Sequence, residues 1–98
     1  MRAPAELNVV LGQFYDEALR DGEVVQQIRA ALMHLTPEGR LTVKRFLDRA
    51  LDDPKNAGKL QRIWWKSPAD VAPADPGSAV ALFTMIRDAI ADMEAAWR

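Results

Sequence analysis

The fold of this chain is decided by its last apolar stretch, Asp75-Pro76-Gly77-Ser78 followed by Val80, Phe83, Ile86, Ile90, Met93 and Trp97. The apolar residues recur at steps of three and four, which places them on one face of an α-helix. Asp75 can cap the first amides, and Pro76 suits the first helical position, where no amide hydrogen is needed. Because a helix of roughly twenty residues spans about 30 Å, we expect the shorter helices before it to pack along it.

Four shorter helices are predicted upstream. They run from about Pro4 to Arg20, from Asp21 to Leu35, from Thr36-Pro37 to Asp52, and from about Lys55 to Trp65. Their predicted inward residues include Leu7, Val10, Leu11, Phe14, Val25, Ile28, Leu32, Leu35, Leu41, Val43, Phe46, Leu47, Leu60, Ile63 and Trp64. A proline-rich connection, residues 67–77, allows neither a helix nor a central strand. The prediction is an all-α, single-domain bundle (residues 1–98) of about five helices packed around a long C-terminal helix.

The composition is that of an ordinary globular domain. The 98 residues are 49% hydrophobic and 28% charged, so neither disorder nor a second core is expected. The chain has no cysteine and no apolar run of the roughly eighteen residues that cross a bilayer. We therefore expect a cytoplasmic protein with no signal peptide and no membrane partner. A net charge of −1 argues against non-specific electrostatic binding of nucleic acid.

Residues suited to catalysis or metal binding are few. His34 is the only histidine, and Thr36-Pro37 breaks the helix between it and Glu38. A histidine near a helix C-terminus is favoured there by the helix dipole alone. Asp52-Asp53 and Asp16-Glu17 are adjacent pairs, and neighbouring side chains on a helix point about 100° apart. We predict no catalytic residue, no metal site and no cofactor.

A basic helix face suggests one alternative function. The junction Leu35-Thr36-Pro37-Glu38-Gly39 resembles a helix-turn-helix, and Arg40, Lys44, Arg45 and Arg49 follow within residues 40–49. Such a face could read phosphates and base edges of DNA. Asp48 and Asp52 interrupt it, however, and charges of both signs on one helix face are typical of solvated surface.

The most unusual local feature is Trp64-Trp65-Lys66-Ser67-Pro68. If Trp64 faces the core, Trp65 is turned about 100° away and lies half exposed. Tryptophan is enriched among interface hot spots, although two rings could equally cover the proline loop and the last helix. We take Trp65 and Lys66, with Asp70 and Asp75 on the same loop, as candidate partner-binding residues. A homodimer through Met93 and Trp97 is a further alternative.

Three segments together resemble a known family. They are Phe46-Leu47-Asp48-Arg49-Ala50-Leu51, then Leu60-Gln61-Arg62-Ile63-Trp64-Trp65-Lys66-Ser67-Pro68-Ala69-Asp70, then Leu82-Phe83-Thr84-Met85-Ile86-Arg87-Asp88-Ala89-Ile90. Residues 46–90 thus resemble small helical immunity proteins of bacterial contact-dependent growth inhibition systems. The resemblance implies a cytoplasmic inhibitor that binds a cognate toxin domain stoichiometrically, without catalysis, and covers its active site or an exosite with an acidic or aromatic patch, for which Trp65, Asp70 and Asp75 are suited.

Two functional hypotheses follow. The leading one is an immunity protein that neutralises a toxin domain through protein–protein contact. The alternative is a small DNA-binding regulator that uses the basic face of residues 40–49. The two differ in a simple way, because DNA binding would weaken steeply as salt is added.

Overall fold

The chain is all α-helical in the part that a computed structural model describes, residues 2–14, 24–67 and 75–96. This part contains five α-helices and no strand, as predicted. We label them α1 (Ala5–Leu11), α2 (Val24–Leu32), α3 (Pro37–Asp52), α4 (Ala57–Trp65) and α5 (Pro76–Ala96), with a short 3-10 helix (Pro54–Asn56) between α3 and α4.

The long C-terminal helix is the organising element. α5 packs against α2, α3 and α4, while α1 packs against α2 and α3. The Asp75 carboxylate oxygen Oδ1 accepts a hydrogen bond from the Ser78 amide at 2.8 Å, so the predicted cap of α5 is formed. The buried residues of α5 are Ala79, Phe83, Ile86, Ala89 and Ile90. The predicted ladder is therefore confirmed at its centre, whereas Val80 and Met93 are only partly buried.

The limits of α3 follow from local chemistry. The Thr36 hydroxyl oxygen accepts from the Gly39 amide at 3.1 Å, and Pro37 takes the first helical position. The helix ends at Asp52, because Asp53 precedes Pro54 and adopts an extended conformation (φ −113°, ψ 112°). Asp53 then caps the 3-10 helix by accepting from the Lys55 amide at 2.9 Å. Both predicted boundaries are confirmed.

The prediction of one helix from Pro4 to Arg20 is wrong. α1 ends at Leu11, and the chain leaves the helix through a turn at Gly12 and Gln13. The amides of Gln13 and Phe14 bond to carbonyls three residues back, which tightens the last turn. This early end lets Phe14 enter the core, where it is fully buried. The predicted continuation over residues 15–23, with the Asp21 cap, lies outside the described residues.

The predicted inner face of α2 is confirmed at Ile28 and Leu32 but is wrong at Val25. Val25 was expected inside but is 48% exposed, and the inward residues are Gln27, Ile28, Ala31 and Leu32. The Gln27 side-chain amide donates to the Gln13 carbonyl at 2.9 Å. The Gln13 carbonyl lies just beyond the end of α1. Because Gln27 faces inward, its side-chain amide supplies this backbone carbonyl with a hydrogen-bond donor.

Trp64 stands at the centre of the apolar cluster. Its ring lies between Phe14 and Phe83, with centroid distances of 5.4 Å and 5.2 Å, and it is 1% exposed. The tilted and edge-on arrangements of these rings are those that aromatic pairs prefer. α4 is thereby anchored both to the end of α1 and to α5.

Candidate protein-binding surface

The two adjacent tryptophans of α4 have opposite environments. Trp64 is buried at 1% exposure, whereas Trp65, the next residue, is 56% exposed. Helix geometry explains the difference, because Leu60, Gln61 and Trp64 form the buried side of α4. The expectation that Trp64 faces the core and Trp65 faces outward is confirmed.

A second face of α4 lines an open cleft of about 450 Å³. From α4 and its C-cap come Lys59, Arg62, Ile63 and Lys66, at the three- and four-residue spacing of one helix face. The opposite wall comes from the segment entering α1, with Arg2, Ala3 and Asn8. We call this the basic cleft. Trp65 follows Arg62 by three residues and so borders the same surface of α4.

A neighbouring groove extends the positive surface toward α3. It measures about 580 Å³ and shares Arg2, Ala3 and Asn8 with the basic cleft. Its remaining lining residues are Pro4, Ala5, Thr42, Phe46 and Arg49. The segment leading into α1 is therefore a ridge, with the basic cleft on its α4 side and this groove on its α3 side.

The charges of the two cavities have one sign. Five cations line them, namely Arg2, Arg49, Lys59, Arg62 and Lys66, and none of the described residues that line either cavity is acidic. Within the described ranges, the ion pairs involve Lys44 and Arg87 and none of these five cations.

Sequence reasoning selected two of this group, Lys66 as a partner-binding residue and Arg49 as part of the alternative DNA-binding face. The spacing of Lys59, Arg62 and Lys66, in a segment without Asp or Glu, was a usable signal. Arg2 carried no signal, because it reaches the site from a part of the chain far away in sequence, and the sequence did not indicate that Arg49 would lie beside it.

The basic face proposed over residues 40–49 is only partly at the surface. Arg40, expected outside, is 5% exposed, and its Nη1 donates to the carbonyls of Leu32 (3.2 Å) and Leu35 (2.9 Å). Its guanidinium group is held inward by these two acceptors, the carbonyl of the last residue of α2 and a carbonyl in the turn that follows it, where helix-end carbonyls lack intrahelical partners. Lys44 pairs with Asp48 at 2.9 Å, as the spacing predicted. Arg45 and Arg49 remain exposed.

Among the other candidate partner-binding residues, Lys66 follows Trp65 directly, is exposed and lines the basic cleft. Asp75 is exposed and serves as the cap of α5. Asp70 lies outside the described residues, as does Trp97 of the predicted dimer contact. Met93 is partly buried and packs against the apolar cluster.

Metal and membrane features are absent from the described ranges. His34 is exposed just beyond α2, and no group of three or more potential metal ligands forms among residues 2–14, 24–67 and 75–96. Over the same ranges, no helix combines the length and the apolar character that a membrane span requires.

Comparison with protein-family models, with curated proteins and with solved structures finds no match to this chain.

Proposed function

We propose that this chain is a cytoplasmic immunity protein that binds a cognate bacterial toxin domain through the outer surface of α4 and neutralises it stoichiometrically, without catalysis. The family resemblance of residues 46–90 suggests the class of partner. The observation that carries the binding surface is the exposure of Trp65 beside a buried Trp64.

Trp65 is not part of the buried apolar cluster around Trp64. Trp64 already fills the space between Phe14 and Phe83, and most of the Trp65 side chain lies at the surface. An exposed indole offers a large rigid apolar area at low conformational cost, together with a polar N–H. Such residues carry a disproportionate share of binding energy in protein interfaces.

The surroundings of Trp65 suit the rim of an interface. Arg62 and Lys66 belong to the same outer side of α4, and both line the basic cleft. Interfaces commonly combine an apolar or aromatic anchor with polar groups around it, which exclude water and set orientation. A partner seated on Trp65 would therefore meet Lys66, the second residue we selected from the sequence.

The test is co-purification with growth rescue. The tagged chain is co-expressed with the C-terminal region of a large secreted protein encoded immediately upstream of it. We expect a one-to-one complex and restored growth of cells that make this region. Trp65→Ala should weaken the complex by more than about 1 kcal/mol.

Met33 provides the matched control. It is 65% exposed, lies just beyond α2 and lines neither the basic cleft nor the neighbouring groove. Met33→Ala should leave the complex unchanged, because it removes an exposed apolar side chain of a different surface. Absence of both complex and rescue would refute the immunity proposal. Equal weakening by Met33→Ala and Trp65→Ala would refute the assignment of the surface to α4.

A further inference from the structure

We infer that the basic cleft receives an acidic segment of the protein partner, whose carboxylates pair with Lys59, Arg62 and Lys66. This inference rests on the proposed function and specifies the chemistry of the partner. It starts from the cations of the basic cleft and the neighbouring groove, which come from three separate parts of the chain and form none of the ion pairs seen among the described residues.

The three cations of α4 lower the stability of the isolated domain slightly, because they repel one another. Lys59, Arg62 and Lys66 follow at steps of three and four, and like charges at that spacing on a helix repel. Residues 57–66 contain no Asp or Glu that could offset this repulsion within α4. By contrast, Lys44 and Asp48 of α3 show the opposite-charge pairing usual on a helix surface. A partner carboxylate would remove the repulsion and gain charge-assisted hydrogen bonds.

The lining of the cleft suits carboxylates on a peptide. The guanidinium groups of Arg2 and Arg62 can each donate two parallel hydrogen bonds to one carboxylate. Ile63 and Ala3 add apolar surface that side-chain methylenes of Glu can cover, and the Asn8 amide can bond to a peptide backbone. The volume of about 450 Å³ lies in the range of clefts that hold ligands.

The charge distribution favours a protein segment over a nucleic acid. Five of the 13 Lys and Arg residues line the two cavities, which leaves eight cations against 14 acidic residues in the rest of the sequence. A long polyanion that extended beyond the cavities would meet this negative surplus. A short acidic segment held in the basic cleft would meet its cations and no acidic residue among the described lining.

Binding of an oligoglutamate peptide, followed by fluorescence anisotropy, tests the inference. The control probes are an uncharged peptide of equal length and a single-stranded oligonucleotide of equal charge. We expect oligoglutamate to bind more tightly than either, and more weakly as salt is added. The triple variant Lys59→Glu, Arg62→Glu, Lys66→Glu should lose at least about tenfold in affinity.

Two further variants control for folding and for net charge. Neutralisation by Lys59→Gln, Arg62→Gln, Lys66→Gln should also abolish the preference for oligoglutamate, while the melting temperature stays equal or rises because the repulsion is relieved. Arg45→Glu changes an exposed cation of α3 that lines neither cavity, and it should leave peptide binding unchanged.

The outcomes distinguish failure of the acidic-segment inference from failure of the proposed function. Failure of oligoglutamate to bind, equal loss in Arg45→Glu and in the triple variant, or tighter binding of the oligonucleotide would overturn the acidic-segment inference. Co-purification of a toxin domain that depends on Trp65 would still support the function in that case. Charge-dependent peptide binding without any toxin complex would support the cleft chemistry and refute the immunity role.

Discussion

Replacing Trp64 or Trp65 by alanine should have very different effects on stability, although the two residues are adjacent on one helix. Trp64→Ala removes a fully buried ring, for which truncation costs about 3–5 kcal/mol. The ring contacts with Phe14 and Phe83 at 5.4 Å and 5.2 Å are each worth about 0.5–1.5 kcal/mol beyond burial. We therefore expect a loss near the upper limit, about 4–5 kcal/mol.

Trp65→Ala should cost far less. The ring is 56% exposed, and burial of the remainder is worth at most roughly 2–3 kcal/mol on an extended-chain reference, which overstates the area lost on folding. Alanine also regains about 0.5 kcal/mol of helix propensity. The expected net loss is about 1 kcal/mol, so the two variants should differ by about 3 kcal/mol.

The assay is urea denaturation followed by far-ultraviolet circular dichroism, since fluorescence would change with the fluorophore itself. The free energy of unfolding is obtained from the midpoint and the slope. A small domain has only about 5–15 kcal/mol of stability, so Trp64→Ala can unfold it outright. Trp64→Phe, which keeps a ring between Phe14 and Phe83, then provides a measurable intermediate loss. Equal losses at positions 64 and 65, or a larger loss at 65, would refute the reasoning.

Three further stability predictions concern the helix ends and the surface of α4, and each is measured by the same denaturation assay. Arg40→Met removes the donor to two carbonyls at the end of α2, and charged hydrogen bonds of this kind suggest a loss of about 2 kcal/mol. Thr36→Ala removes the cap of α3 and should cost about 1 kcal/mol. Gly58→Ala should stabilise the protein by about 0.4–1 kcal/mol, because an added Cβ meets no atom within 4 Å.

The outcomes that contradict these predictions are distinct. An Arg40→Met variant as stable as the parent would mean that water or another donor satisfies the α2 carbonyls. Thr36→Ser should retain most of the cap, so equal losses in Thr36→Ser and Thr36→Ala would show that the hydroxyl is not responsible. A destabilised Gly58→Ala variant would show that position 58 needs a conformation that alanine resists.

Local chemistry explains why three helix boundaries were predicted correctly. Thr36-Pro37, Asp53-Pro54 and Asp75-Pro76 act through hydrogen bonds and backbone restrictions that reach no further than three residues. The same locality applies to the outward turn of Trp65, which follows from the helical repeat once Trp64 is inside. The partner of Trp65 stays a prediction.

Two wrong predictions, the end of α1 and the exposure of Arg40, concern positions whose structure depends on contacts with distant parts of the chain. The end of α1 at Leu11 departs from a periodic pattern that continues through Phe14, because burial of Phe14 against Trp64 depends on α4 and α5. Arg40 looked like surface by composition, yet the carbonyls of Leu32 and Leu35 hold it inward. Neither effect can be read from the residues near it in sequence.

By itself, the sequence determined the helical class, the long final helix and three of the helix boundaries, and it predicted the outward turn of Trp65 only on the condition that Trp64 faces the core. Only the tertiary structure decided that Arg2, Arg49 and the cations of α4 line two adjoining cavities. The physical reason is that helix formation and capping depend on neighbours within one or two turns, whereas a surface potential sums charges from every element that packing brings together. The basic cleft exists because α4 lies opposite the segment that enters α1, and no single segment encodes it.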